Sequence, residues 1–242
     1  MDASTIALPT PDGPMPVYEA VPGGPARGGA IVVQEAFGVN GHIEDVTRRL
    51  AAAGWHALAP HLFHREGSPR IAYDDISSAM PLLQRLTGEG LARDLDACLA
   101  HLDGAGLPPE RVGIVGFCMG GTVAFFVAAR RRLGAAVTFY GGGVAEGRWP
   151  GVPSLLELAP DLRAPWLGLY GDLDQGIPPE QVERLRATVA GGPVPAEVVR
   201  YPEAGHGFHC DARPHVYHES SARDGWARTL AWLDAHVPTP AA

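Results

Sequence analysis

The stretch from residue 112 to residue 121, Val-Gly-Ile-Val-Gly-Phe-Cys-Met-Gly-Gly, constrains the fold of this chain more than any other. An apolar run that favours a β-strand meets Gly116, and Cys118 follows two residues later. Two more glycines then lead into Thr122–Arg132, which is compatible with a helix. A strand, a sharp turn and a helix in this order match the G-x-S-x-G nucleophile elbow, with cysteine in place of serine.

The glycines and the helix of this elbow each have a physical role. The backbone at the nucleophile is strained, so a Cβ on the neighbouring turns would clash. The N-terminus of the helix carries unpaired N–H groups and a positive dipole end, which favour a thiolate and can hold an oxyanion. The same residues are also compatible with a structural cysteine in a buried turn, because a free cysteine packs like a small hydrophobe. The strand before and the helix after Cys118 favour the catalytic interpretation.

The composition excludes several classes of protein. The net charge of −8 argues against nucleic acid or an anionic membrane as partner, because either would attract a basic surface. Cys98, Cys118 and Cys210 are too few for a disulfide framework in 242 residues. The first residues lack the segments of a signal peptide, and no apolar run approaches the ~20 residues of a membrane helix. We therefore expect one cytoplasmic domain over residues 1–242, monomeric or a small homo-oligomer, that acts on a small molecule.

Strands and helices alternate along the chain, which favours a mainly parallel sheet with helices on both faces. In such a sheet, ligands bind beyond the carboxyl ends of the strands. Side chains with catalytic chemistry follow four predicted strands. These are Glu35 after Ala30–Gln34, Cys118 after the elbow strand, Asp172 and Asp174 after Trp166–Tyr170, and His206 after Ala196–Tyr201. The order nucleophile, acid, histidine is that of the α/β-hydrolase fold.

Two aspartates compete for the acid position. The loop from residue 171 to residue 178 has the form G-x-x-D-x-x-I-P, which places Asp174 beyond the turn, within reach of an imidazole. Asp172 lies nearer the strand and is suited to bracing the loop. We therefore favour Asp174 as the partner of the histidine.

Four segments of the chain resemble the dienelactone hydrolase family. They are residues 33–43, which include the Gln-Glu loop, residues 59–63, the Gly-Phe-Cys-Met-Gly-Gly elbow, and Gly-His-Gly-Phe at 205–208. The resemblance extends from about Ile31 to Trp232, which is nearly the whole chain. It implies an α/β-hydrolase fold and a carboxylic ester hydrolase or lactonase that needs no cofactor.

The resemblance also implies a role for each residue of the elbow region. Cys118 is the nucleophile, His206 the base and then the acid, and Asp174 orients the imidazole. The thiolate attacks an acyl carbonyl, and water later hydrolyses the thioester. The N–H of Met119, after the nucleophile, and by resemblance that of Ala36 hold the oxyanion, where such donors are worth about 2.7–4 kcal/mol each.

Glu35 has a role by resemblance as well. In the family, this glutamate hydrogen-bonds the resting thiol and accepts its proton when substrate arrives. The alternative is that Glu35 pairs with an arginine and only shapes the loop.

The substrate is less closely defined by the sequence. Family members that open dienelactones are expected to bind the substrate carboxylate with arginines, one of them four residues after the catalytic histidine. That position is Cys210 here, so Arg213 is a candidate substitute, and Arg70 or Arg85 are candidates for a second arginine. Tyr140, at a strand end, is a candidate for the pocket wall and equally for the core. We expect a small ester or lactone with an activated leaving group, because a thiolate itself leaves readily.

Other interpretations of these residues remain open. Histidine, cysteine and aspartate side chains cluster at His206, His209, Cys210, Asp211, His215 and His218, but their spacing fits no standard zinc pattern. A metal there would also remove the catalytic base, so we expect no metal site. A thiol redox protein would need a C-x-x-C pair, which the sequence lacks. A catalytically idle α/β-hydrolase scaffold that binds a ligand is the alternative function, although it would not need all the polar residues described above.

Overall fold

Eight strands form one sheet in the computed structural model, which describes residues 1–238. The strands are β1 (Asp2–Thr10), β2 (Gly13–Val21), β3 (Gly28–Val33), β4 (Trp55–Pro60), β5 (Val112–Phe117), β6 (Ala135–Phe139), β7 (Trp166–Gly171) and β8 (Ala196–Tyr201). Their order in the sheet is β1-β2-β4-β3-β5-β6-β7-β8. Both β1 and β4 run antiparallel to β2, whereas the strands from β3 to β8 are parallel to one another.

Helices cover both faces of this sheet. They are α1 (Gly41–Ala52), α2 (Ile76–Gln84), α3 (Gly88–Gly104), α4 (Met119–Ala128), α5 (Leu155–Leu158), α6 (Pro179–Ala190) and α7 (Glu219–His236). Leu102 of α3 packs against Gly29, whereas Leu233 of α7 packs against Gly113, which lies on the opposite face. The predicted α/β-hydrolase fold, a mainly parallel sheet between two helical layers, is confirmed. No helix within residues 1–238 combines the length and the apolar character that crossing a membrane requires.

The strands in the middle of the sheet are buried on both sides. Every residue of β3, β4, β5, β6 and β7 is buried, and their sequences are short, almost continuous apolar runs. Such runs are typical of parallel strands that are covered by helices on both faces. The edge strand β1 is mostly exposed. The core therefore fixes the central strands, whose carboxyl ends carry Glu35, Cys118 and Asp174, whereas His206 follows the edge strand β8.

Helix α4 has different bounds from the predicted helix at Thr122–Arg132. It begins at Met119, directly after the cysteine of the elbow, and ends at Ala128. The early start follows from the turn itself, since Cys118 takes the N-cap position. As a result, the first free N–H groups of the helix lie beside the sulfur rather than one turn away from it.

Candidate active site

Cys118 occupies the turn between β5 and α4 with backbone angles φ 56° and ψ −119°. A residue with a Cβ in this region is strained, at a cost of about 1–3 kcal/mol, and such strain is common at functional sites. Two glycines make the turn possible. A Cβ on Gly116 would lie 1.9 Å from the carbonyl oxygen of Gly120, and one on Gly120 would lie 2.3 Å from that of Val33. Their absence lets β3, β5 and α4 approach closely enough to hold the cysteine in place.

Two backbone N–H groups near Cys118 are available to bind an anion. Met119 is the first residue of α4, and Ala36 lies in the loop after β3; neither N–H donates a hydrogen bond within residues 1–238. Both residues line a cleft of about 270 Å³ together with Cys118. The remaining lining residues are Met80, Leu83, Gln84, Arg148, Trp149 and Pro150. A cleft of this size suits a small ligand, since ligand pockets commonly hold about 300–1,000 Å³.

His206 and Asp174 meet at the carboxyl ends of β8 and β7. Nδ1 of His206 lies 2.6 Å from Oδ2 of Asp174, and Oδ1 of Asp174 accepts a hydrogen bond from the N–H of Gly176 at 2.8 Å. The carboxylate is thus held at both oxygens. The side chain of Asp174 is 3% exposed, whereas that of His206 is 38% exposed and remains accessible to a ligand. Asp174 is therefore placed to fix the orientation and the tautomer of the imidazole.

The pKa of the His206 imidazole depends on the charge of Cys118. Burial alone would lower the pKa of His206, but the negative charge of a nearby Cys118 thiolate and the hydrogen bond with Asp174 raise that pKa to about 10. The imidazolium is thus stabilised when the thiol is ionised. Cys118, His206 and Asp174 are brought together in the order that a nucleophile, a base and its orienting acid require.

Asp172, the competing aspartate, is engaged elsewhere. Its carboxylate accepts two hydrogen bonds from Arg200 on β8, at 2.6 and 2.8 Å. This bidentate pair joins the end of β7 to β8. Asp172 therefore braces the loop that presents Asp174.

Glu35 lies fully buried beside the elbow with two donors on one of its oxygens. Arg213 donates to Oε1 through Nη2 at 2.7 Å, and the hydroxyl of Tyr140 donates to the same oxygen at 3.3 Å. The other oxygen, Oε2, is buried without a partner within residues 1–238. In the same part of the chain no hydrogen bond joins Glu35 to Cys118. The ion pair of the alternative interpretation is present, and the proton-accepting role of Glu35 stays a prediction.

Arg213 supplies the cation that pairs with Glu35. Its guanidinium lies 5.2 Å from the ring centre of Phe37 and 5.0 Å from that of Tyr73. Burial opposes the charged form, but the carboxylate of Glu35 outweighs this and raises the pKa of Arg213 above its ordinary range. The side chain does not line the Cys118 cleft. Cys210, at the position expected for arginine, is buried with its sulfur 3.5 Å from the hydroxyl of Tyr73.

The other three candidate substrate-binding residues have different surroundings, and Arg85 forms an ion pair with Glu66 outside the cleft. Tyr140 is buried, has φ 40°, and its ring centre lies 5.0 Å from that of His206. Burial and the charge of Glu35 raise the pKa of Tyr140 well above its ordinary value, so the hydroxyl remains a donor. Arg70 is an exposed residue that forms an ion pair with Glu44 of α1 and does not line the cleft.

Comparisons with known proteins identify the family of this chain. The model of the dienelactone hydrolase family matches residues 15–237. The chain belongs to the dienelactone hydrolase family. Among its relatives is a Salmonella typhimurium protein assigned as a carboxymethylenebutenolidase, with 40% identity over 96% of this chain and 87% of that protein. A Bradyrhizobium protein assigned as a 2-oxo-3-(5-oxofuran-2-ylidene)propanoate lactonase is 31% identical over 86% of this chain and 84% of its own length.

Solved structures place the chain in the same family. A crystal structure from Klebsiella pneumoniae, assigned as a dienelactone hydrolase, is similar with a TM-score of 0.88 and 38% identity, covering 96% of this chain and 98% of the other. The predicted resemblance to the dienelactone hydrolase family is confirmed, and with it the class of carboxylic ester hydrolase or lactonase.

In this dienelactone hydrolase family member, the sequence interpretation overlooked Arg148. This exposed arginine lines the cleft with Cys118 and Met119. Its guanidinium packs against Gly142, where a Cβ would lie 2.4 Å from Nη1. Within residues 1–238 no carboxylate pairs with it. The position of Arg148 in the sequence gave one indication of this location. Arg148 lies in the loop after β6, and the carboxyl end of β6 lies between those of β5 and β7, which carry Cys118 and Asp174.

The polar residues from 206 to 218 do not converge on one point in this family member. His209 packs between Phe117 and Phe139, with ring centres 5.1 and 4.9 Å away. Asp211 pairs with Arg49, and His218 hydrogen-bonds Ser221 at 2.7 Å. The residues instead fix the loop after β8 in several places, which positions the imidazole.

The structure predicts that the two neighbouring aspartates differ in function. Asp174→Asn should lower kcat/KM toward an activated aryl ester by as much as about 10⁴-fold, because an imidazole in the wrong tautomer cannot accept the proton of the nucleophile. Asp172→Asn should cost activity little and lower the free energy of unfolding by about 0.5–1 kcal/mol, since it weakens a partly exposed ion pair. Steady-state kinetics and urea unfolding of both variants measure these effects. A larger catalytic loss in Asp172→Asn would contradict the assignment.

Proposed function

We propose that this enzyme hydrolyses small activated carboxylic esters or lactones through a Cys118–His206–Asp174 triad and a thioester intermediate. The observation that carries the proposal is the strained Cys118 turn. It lies beside two N–H groups that donate no hydrogen bond within residues 1–238 and beside a histidine that is hydrogen-bonded to a buried aspartate at 2.6 Å. A structural cysteine requires none of these arrangements.

Acylation begins when the Cys118 sulfur attacks the acyl carbonyl, with His206 holding the thiol proton. The N–H groups of Met119 and Ala36 stabilise the negative oxygen of the tetrahedral intermediate. As the intermediate collapses, the C–O bond breaks and His206 gives the proton to the leaving oxygen. Asp174 stabilises the imidazolium through both half-steps.

Deacylation repeats the same steps with water. His206 takes a proton from the water, whose oxygen attacks the thioester carbonyl, and the C–S bond breaks to release the acid and the thiolate. The leaving group decides which substrates complete the first half-step. A thiolate leaves more readily than an ordinary alkoxide, so only esters or lactones with a stabilised leaving oxygen are expelled in the productive direction.

Glu35 acts on the resting cysteine in this proposal. Its Oε2 atom is a buried acceptor without a donor within residues 1–238, so it can accept the thiol proton when substrate arrives and pass it to His206, which holds it during the attack. Arg213 and Tyr140 fix the carboxylate through the other oxygen, which keeps Oε2 available. The negative charge beside the elbow also disfavours a thiolate before substrate binds.

The cleft favours a substrate that carries an anionic group. Arg148 lines the cleft beside Cys118 and has no carboxylate partner within residues 1–238. A carboxylate on the substrate would form an ion pair with the guanidinium of Arg148. The lactone carboxylates named for the Bradyrhizobium relative belong to this chemical class. Arg213 contributes indirectly, through Glu35.

We further propose that residues 1–242 act as a single domain in the cytoplasm, as a monomer or a small homo-oligomer. A catalytically idle scaffold is the competing function. The cleft could hold a ligand in an enzyme or in an idle scaffold. A histidine that is oriented by a buried aspartate favours the enzyme, because this arrangement suits proton transfer.

Replacing the nucleophile tests the covalent mechanism. Cys118→Ala should lower the turnover of 4-nitrophenyl acetate on the order of 10³-fold or more, since the thioester route is lost. Wild-type enzyme quenched in acid should carry a hydroxylamine-sensitive acyl group on Cys118, measured by mass spectrometry.

Cys98→Ala is the matched control, because Cys98 is a buried thiol in α3 and should not affect turnover. Undiminished turnover in Cys118→Ala would refute the triad. Absence of turnover in the wild type with several activated esters would support the idle scaffold.

Alkylation rates test the role of Glu35. We expect iodoacetamide to alkylate Cys118 more slowly than glutathione, because the buried carboxylate disfavours the thiolate. Glu35→Gln removes the charge and should raise the rate by about tenfold for each 1.4 kcal/mol of repulsion removed. Glu44→Gln, on the outer helix α1, should leave the rate unchanged. Fast alkylation that does not change in Glu35→Gln would refute this role.

A pair of esters tests Arg148. Arg148→Gln should raise KM for the anionic 4-nitrophenyl succinate monoester by roughly tenfold, or about 1.4 kcal/mol, and leave KM for neutral 4-nitrophenyl acetate unchanged. Arg163→Gln is the control, because Arg163 is an exposed arginine that lies outside the Cys118 cleft. Equal effects of Arg148→Gln on both esters would exclude a charge-specific contact.

A further inference from the structure

A carboxylate and two imidazoles meet at the end of the sheet opposite the elbow. His56 Nε2 lies 2.7 Å and His101 Nε2 lies 2.8 Å from the same oxygen, Oε1 of Glu19. The three candidate ligand atoms all lie within 4.8 Å of one another. Their side chains belong to β2, β4 and α3, so the cluster joins three elements that are distant in the sequence.

The strand register and the helix packing explain this convergence. Glu19 pairs with Leu58 across the antiparallel β2–β4 ladder, so His56, two residues before Leu58, lies diagonally opposite Glu19 on the same face. Helix α3 packs on β4 and brings His101, in its last turn, over that face. His56 is the second residue of β4, which sets the cluster at the amino ends of the parallel strands, away from Cys118.

The chemistry of this cluster suits a divalent transition metal. Two imidazole nitrogens and a carboxylate oxygen are preferred zinc ligands, and a three-residue set leaves a fourth position for water. The rings of His56 and His101 are inclined at 80° with centres 6.0 Å apart, so their nitrogens approach from different directions. Within residues 1–238 no arginine pairs with Glu19.

Exposure also suits an ion at this position. The side chains are 16% exposed for Glu19, 11% for His56 and 31% for His101, so solvent reaches the cluster from one side. A zinc tetrahedron needs ligand atoms about 3.3 Å apart, so the two imidazoles would move outward by about half an ångström.

We propose that Glu19, His56 and His101 bind one zinc ion, which cross-links α3 to β2 and β4. In the absence of the ion, both imidazoles donate to the carboxylate, so the same residues keep their hydrogen bonds. On zinc binding, each neutral imidazole carries its proton on Nδ1 instead of Nε2, and the three freed ligand atoms form metal–ligand bonds that join the elements. The site lies apart from the hydrolytic machinery, and the proposal is independent of the proposed function.

Metal titration of tag-free protein tests this site. Cys118→Ala serves as the parent, because the elbow cysteine and His206 would also attract zinc. After chelator treatment, calorimetry should show one zinc ion per chain. His101→Gln and Glu19→Gln in this parent should each weaken binding at least tenfold, whereas His215→Gln, which alters an exposed histidine outside the cluster, should not.

Two further measurements identify the ligands. Cobalt should bind the parent without a thiolate charge-transfer band, since the proposed ligands are nitrogen and oxygen. Zinc should raise the unfolding temperature of the parent and not that of His101→Gln. The proposal is overturned if the parent binds no zinc, if both cluster variants bind zinc as the parent does, or if cobalt produces a thiolate band. None of these measurements uses ester hydrolysis. A negative result for zinc binding would therefore not contradict the proposed Cys118–His206–Asp174 triad.

Discussion

The close approach of Gly116 to the carbonyl group of Gly120 is the contact on which the active site depends. With 1.9 Å between that oxygen and the place of a Cβ, no other residue fits at position 116 without moving the chain. The contact ties the start of α4 to the end of β5, so the helix dipole, the free N–H of Met119 and the sulfur of Cys118 share one small region. The strained backbone of Cys118 is therefore held in place by two packed elements, β5 and α4, rather than by a flexible loop.

Two buried carboxylates then organise the polar groups around the sulfur. Asp174 holds His206, and Glu35 is held by Arg213, at 2.6 and 2.7 Å respectively. Removing one member of a buried ion pair commonly costs about 3–5 kcal/mol, a figure that applies to Glu35 and Arg213, whereas the partly exposed His206 depends less on its pair for stability. The loops after β3, β7 and β8 are thereby set against the elbow from separate strands.

Local patterns in the sequence were sufficient to predict the elbow, the mainly parallel sheet, and the strands that Cys118, Asp174 and His206 follow, because glycine spacing and strand ends are recognised from neighbouring residues. The ion pair of Glu35 with Arg213 joins residues 178 positions apart, and no local pattern specifies such a contact. Arg148 lies in a loop without periodicity, so only the fold reveals which cleft it lines. The start of α4 at Met119 depends on the φ of 56° at Cys118, which a propensity for helix does not encode.

The proposed catalytic residues are spread from the middle of the sheet to its edge. Cys118 follows β5, which has neighbours on both sides, whereas His206 follows β8, the last strand in the order. Edge elements open with less free energy than central ones. Partial opening of this edge would therefore withdraw His206, the proposed base, while Cys118, the proposed nucleophile, stays in place. Thermal inactivation of this enzyme would then begin as a loss of proton transfer, ahead of global unfolding.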